Sequence, residues 1–95
     1  MSEPNAAVIF AATMSPEQID RLAELMREGL AARPRGVVKA ALLLDGEQVQ
    51  LVAFWRDRGT LGDYLASVPV PRGVELMRKA GVEPDVRVVD VREFA

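Results

Sequence analysis

The sequence predicts an α+β fold of order β-α-β-β-α-β, the ferredoxin-like split βαβ arrangement, and three observations carry that reading. Asp45-Gly46 sits between two apolar runs, which is the strongest short-range signal for a β-hairpin. The apolar run Ala6 to Met14 is followed directly by Ser15-Pro16-Glu17-Gln18, the chemistry of a helix start. A broken helical pattern then ends at Gly81 and feeds a final β-branched run. Right-handed crossovers between parallel strands turn this order into a four-stranded antiparallel sheet, 4-1-3-2, with the helices on one face. Residues 1–95 are expected to form one domain.

Each element has its own local cause. Ala6 to Met14 is bounded by polar residues and too short for a packing helix, so it reads as a mostly buried strand. Ser15 caps the first helix, Pro16 suits its first position, and Gln18 completes a capping box. Ile19, Leu22, Ala23, Met26 and Leu30 follow as one apolar stripe. Arg33-Pro34-Arg35-Gly36 ends that helix, because Pro34 cannot continue it. After the hairpin, Thr60 with Asp63 marks a second helix start, with Leu61, Tyr64 and Leu65 on one side. Pro69 and Pro71 interrupt it, and a further piece from about Pro71 to Ala80 carries Val74, Met77 and Ala80 at spacing three. Glu83-Pro84-Asp85 is a turn, and Val86 to Phe94 reads as the last strand.

The hairpin, Val37 to Trp55, has two faces of different polarity. Pairing Leu44 with Glu47 sets Leu42 beside Val49, Ala40 beside Leu51 and Val38 beside Ala53. One face then carries Val38, Ala40, Leu42, Leu44, Val49, Leu51, Ala53 and Trp55, with only Glu47 polar at the tip. The other carries Val37, Lys39, Ala41, Leu43, Gln48, Gln50, Val52, Phe54 and Arg56. A slip of one residue would scramble the two sets. The dry face wants a helix layer. The mixed face, about 500 Å² across the sheet, is near the upper end of what a monomer exposes. A homodimer closing sheet against sheet is the preferred solution, and a monomer tolerating the mixed face is the alternative.

Composition narrows function by exclusion. The chain carries 12 basic and 14 acidic residues, a net charge of −2, so it lacks the basic surface that nucleic acid requires. It contains no cysteine and no histidine, which removes thiolate chemistry, sulfur metal sites and the usual neutral-pH general base. No metal or cofactor is expected. No apolar run approaches a membrane span, and Met1-Ser2-Glu3-Pro4 lacks the basic start of a signal peptide, so a cytoplasmic protein without a membrane partner is expected.

A capped helix after an apolar strand, a third strand ending in LVAFWRD and a broken second helix feeding the last strand resemble the dimeric α+β barrel superfamily. The nearest branch is the antibiotic biosynthesis monooxygenase-like family. That resemblance implies a homodimer whose two sheets form a barrel, with a cavity between sheet and helices in each subunit. It also implies, for some members, oxidation of aromatic substrates by molecular oxygen without metal or flavin, the substrate supplying the electrons. A haem-degrading branch of the superfamily needs a tryptophan and a histidine in the second-helix region. Here Tyr64 stands nearest that tryptophan and there is no histidine, so haem degradation is excluded.

The candidate pocket-lining residues are Trp55, Tyr64, Leu51, Met26 and Met77; no catalytic residue can be named. Trp55 is either a pocket wall with an indole N–H for a ligand or a core tryptophan at a strand end. Tyr64 either orients a phenol or carbonyl or packs half-buried on the sheet. Arg56, Asp57 and Arg58 either bind an anion or form a solvated strand end. Two functions follow: a cofactor-independent monooxygenase-like enzyme for an aromatic or quinol-type small molecule, or a non-catalytic, small-molecule-binding or stress-related dimeric barrel. A ligand-sized cavity of ~300 Å³ or more favours the first. A cavity filled by Met26, Leu30, Leu65 and Met77 favours the second.

Overall fold

The computed structural model describes residues 3–29 and 33–94. Its elements are β1 (Ala6–Thr13), α1 (Pro16–Gly29), β2 (Val37–Asp45), β3 (Gln48–Trp55), α2 (Arg58–Ser67), α3 (Arg72–Lys79) and β4 (Asp85–Asp90). The strands form one antiparallel sheet in the order β2-β3-β1-β4, which is the expected 4-1-3-2. The two most buried strands, β1 and β3, are central, whereas β2, though equally apolar in sequence, is an edge strand. The core lies between the sheet and the helices, where Val8, Phe10, Leu51 and Trp55 meet Leu22, Leu61, Val74 and Met77.

The capping box on α1 forms as the residue types dictate. Ser15 Oγ accepts the Gln18 backbone N–H at 3.2 Å, and Gln18 Oε1 accepts the Ser15 N–H at 2.9 Å. Leu22 and Leu25 are the residues of α1 that are buried; Leu30, expected on the same stripe, lies outside the described residues. Gly81, at φ +99, closes α3 in the left-handed conformation that glycine adopts without strain.

The hairpin register differs from expectation by two residues. Asp45 pairs with Gln48, Leu44 with Val49, Leu42 with Leu51 and Ala40 with Ala53. Gly46 and Glu47 are therefore the central turn residues, with positive φ at Gly46 alone, as a type II′ turn requires. A shift of two preserves side-chain parity, so the dry and mixed faces survive it. One local reversal occurs, because a bulge makes Val38 an extra residue between Val37, opposite Trp55, and Lys39, opposite Phe54. Val37 turns in against the core, and Val38 is exposed, the opposite of their expected sides.

Two boundaries also move. The second helix starts at Arg58, two residues before Thr60, because Asp57, not Thr60, is its N-cap and accepts the Thr60 backbone N–H at 2.7 Å. β4 stops at Asp90 rather than at Phe94. Beyond it, the Val91 N–H donates to the Asn5 carbonyl at 2.9 Å, and Phe94 meets Phe54 edge to face at 5.2 Å. Phe54 belongs to the helix-free face, as do Ile9, Leu43, Val52 and Val89, so the chain's own end covers part of that face.

The Asp57 cap has a pH signature. The backbone hydrogen bond from Thr60, ahead of its side-chain bond and the neighbouring Arg56, holds the Asp57 carboxyl below its usual 3.8. The unfolded chain then binds a proton at higher pH than the folded one. The cap's contribution is complete above the unfolded value and is lost as pH falls through the lowered folded value. Asp57→Asn keeps a capping side chain but removes this titration. Thermal melts between neutral and strongly acidic pH are expected to show the advantage of the native chain over Asp57→Asn shrinking as pH falls. Asp57→Ala is expected to melt lower at neutral pH.

Candidate functional site

Side-chain alternation sends Leu51, Ala53 and Trp55 of β3 towards the helices, with Val8 and Phe10 of β1 beside them. Together they floor a cavity of about 190 Å³. Its walls come from Met26 and Gly29 of α1, Tyr64 and Leu65 of α2, and Arg72, Gly73 and Leu76 of α3. Val37, Lys39 and Ala40 of β2, with Arg33 and Pro34 before it, border its open side. The lining is predominantly apolar, with the charged groups Arg33, Lys39 and Arg72 among it.

Two glycines make this shape possible. Gly36, at φ +94, passes so close to Trp55 that a Cβ there would lie 3.1 Å from Trp55 Cε3 and 2.6 Å from Thr60 Cγ2. Gly73 lets α3 rest on the Phe10 ring, 2.6 Å from its Cζ for a hypothetical Cβ, so any side chain would strike the ring. The bulge at Val38 aims Val37 at the cavity from the edge strand.

Trp55 and Tyr64 form the aromatic end of the cavity, with ring centroids 5.1 Å apart and planes tilted by 36°. Tyr64 Oη accepts the Arg72 backbone N–H at 2.8 Å, which ties α2 to the start of α3. Its oxygen is thereby oriented, and its own hydroxyl hydrogen has no acceptor among the described residues. Trp55 is 1% exposed, and its Nε1 is buried with no hydrogen-bond partner. An unpaired buried N–H costs about 1–3 kcal/mol. Because that atom is itself shielded, the indole ring, not the N–H, forms the wall.

Of the residues expected at the pocket, Trp55, Tyr64, Leu51 and Met26 border it. Met77 does not: it is completely buried in the core instead of standing at the cavity wall. Met26 and Leu65 border the cavity without filling it, and Leu30 lies outside the described residues. At about 190 Å³ the cavity is smaller than the ~300 Å³ expected for a drug-sized ligand. Arg33, Val37, Arg72 and Gly73 were not expected. Gly73 alone had a signal, a residue without a side chain between helical apolar positions.

A second, more open groove of about 620 Å³ lies along Val68, Pro69 and Val70 and shares Tyr64 and Arg72 with the cavity. Its other cations are already engaged. Lys79 lies 3.5 Å from Glu75, and Arg78 holds Glu83 with two bonds of 2.7 and 2.8 Å. The first cavity is the better site because it is more enclosed and more apolar.

No family model matches the sequence, and no curated protein matches it. Solved structures of similar fold do exist. A protein of unknown function from Nitrosomonas europaea, NE2512, superposes with a TM-score of 0.67 at 17% identity, covering 97% of this chain and 93% of that one. SnoaB, a cofactor-independent oxygenase from Streptomyces nogalater, superposes with a TM-score of 0.63 at 16% identity over 97% of both chains. A provisional antibiotic biosynthesis monooxygenase from Chloroflexus aurantiacus gives 0.61 at 13% identity over 96% of both. The chain has the fold of the antibiotic biosynthesis monooxygenases.

Proposed function

We propose that the protein binds a small aromatic or quinol-type molecule in the cavity between sheet and helices and oxidises it with molecular oxygen, without metal or flavin. The observation that carries this reading is the apolar cavity ended by the Trp55–Tyr64 pair, with Tyr64 Oη fixed by the Arg72 N–H. The likeness of fold to a cofactor-independent oxygenase supports it. In such a reaction the substrate supplies all the electrons. A ring methylene becomes a carbonyl, one oxygen atom enters the product, and the other leaves as water with the two hydrogens. The side chains here contribute what that chemistry asks of a protein: a dry wall, a ring against which the substrate stacks, and one hydroxyl to orient an oxygen substituent.

Anthrone, whose third ring would project through the open side, is a suitable probe under ¹⁸O₂. The expected result is anthraquinone carrying one labelled oxygen, formed faster than in buffer and slowed at least tenfold in Tyr64→Phe. A rate equal to that in buffer would overturn the enzymatic reading. The second reading, a non-catalytic binding protein, is favoured by the modest cavity volume and by the absence of a carboxylate among the described lining residues. Under it, anthrone perturbs Trp55 fluorescence with no product formed.

The active form proposed is a homodimer closed through the helix-free face, where Ile9 pairs with Val52 and with Arg87 near its centre. Light scattering at micromolar concentration is expected to give twice the 10.4 kDa of one chain. Ile9→Glu, which puts a charge into that face, is expected to give one chain's mass.

A further inference from the structure

The geometry points to a ligand that is an amphipathic monoanion, a body of one or two rings carrying a single carboxylate that sits at the open side of the cavity. This rests on the reading of the cavity as a small-molecule site and names the class of molecule it takes. Two features define the class: the size of the apolar space and the sign of charge at its rim.

The size is set by the volume. An apolar cavity of ~150 Å³ holds one benzene ring, so about 190 Å³ takes a ring with a few further carbons, and the rest of a larger ligand stands in the opening. The charged lining residues reach solvent: Arg33 is exposed and the Arg72 side chain is 35% exposed, which puts their charge at that opening. Arg33 and Arg72 border the cavity, and no Asp or Glu does among the described residues. Arg33 has no acidic partner within 4.0 Å among the described residues.

Arg72 is placed more definitely. Its guanidinium reaches from the start of α3 towards α1, so that a Cβ on Gly29 would lie 3.0 Å from Nη2. Its acidic neighbour, Glu75, stands 3.6 Å away but is shared with Lys79 at 3.5 Å. One carboxylate therefore faces two cations, and with Arg33 the rim keeps an excess of positive charge although the whole chain is negative. A neutral apolar molecule gains nothing from that arrangement. A carboxylate on the end of an apolar body gains a charge-assisted partner while its body stays dry. Lys39, also on the rim, is opposite Phe54 in the ladder and belongs by parity to the other face, so the head group is assigned to the two arginines.

The single tryptophan of the chain stands at the cavity wall and reports binding directly. The probes are 4-phenylbutyrate and its neutral isostere 4-phenylbutyramide, titrated at low salt and followed by Trp55 emission. Each exposed ion pair shifts an equilibrium by about two- to fivefold, so the acid is expected to bind about tenfold more tightly than the amide. That preference is expected to vanish near 1 M salt, where the Debye length is about 3 Å. It is expected to vanish also in the Arg33→Gln/Arg72→Gln variant, with amide affinity held within about twofold, and to persist in Arg21→Gln, which removes a charge on α1 away from the rim. Equal affinities for acid and amide, or a preference that survives in the double variant, would overturn the anion assignment while leaving the cavity a binding site. Binding of neither probe would remove the small-molecule reading itself.

Discussion

Trp55→Ala is expected to cost about 3–5 kcal/mol of stability, whereas Trp55→Phe is expected to cost about 1 kcal/mol or less. Removing the whole indole strips the largest fully buried side chain from the core and enlarges an existing cavity, and both the lost transfer energy and the void add to the cost. Phenylalanine keeps a ring against Tyr64, and it also removes an N–H that has no partner. Taking away an unpaired buried donor returns roughly the 1–3 kcal/mol of its desolvation, which offsets the packing lost with the smaller ring. Urea unfolding of the two variants checks the pair, read by far-ultraviolet circular dichroism because the fluorophore is gone. A large loss in Trp55→Phe would mean that the N–H has a partner after all.

Gly36→Ala is expected to cost about 2–5 kcal/mol. Holding a residue with a Cβ at positive φ costs about 1–2 kcal/mol, and forcing extra volume into a packed site about 1–3 kcal/mol more. Both apply, since φ is +94 and the new methyl would meet Thr60 and Trp55. Against a total stability on the order of 5–15 kcal/mol, such a loss leaves little margin. Chemical denaturation is the measurement. Because Gly36 and Trp55 touch, their two losses are expected not to add in the double variant.

How far the sequence reveals this molecule can be seen at individual residues. Ser15 and Gln18 form the capping box that their spacing announces, because that motif is satisfied within four residues. Asp45-Gly46 marks the hairpin but not its register, since types I′ and II′ both accept glycine at positive φ and differ by which neighbour shares the turn. An offset of two leaves the residues of each face together because it is even. The bulge at Val38 has no local signature, for β-branched residues fill both sides of it. Asp57 was hidden in a run of charges, although a cap three residues before Thr60 is what its carboxylate became. Past Asp90 the chain's partners are Asn5, which accepts the Val91 N–H, and Phe54, which meets Phe94; both lie far along the chain, and no periodic pattern encodes them.

The site divides in the same way. Trp55, Leu51, Tyr64 and Met26 border the cavity because strand parity and helical spacing aim them there, and such periods are visible in one dimension. Met77 shares that spacing, but its place along α3 buries it in the core instead of at the cavity wall. Arg33 and Arg72 belong to no period. One lies between α1 and β2 and the other opens α3 after Pro71, so only the packing of α1 against α3 brings them to one rim.

The central claim is that this cavity, and no other surface, receives the small molecule. Amide and indole chemical shifts of labelled protein titrated with 1-naphthol test it most directly. Shifts are expected to concentrate at Val8, Phe10, Leu51, Trp55 and Tyr64, with the helix-free face around Ile9 and Val52 unchanged. Shifts centred on that face, or on the groove beside Pro69 and Val70, would contradict it.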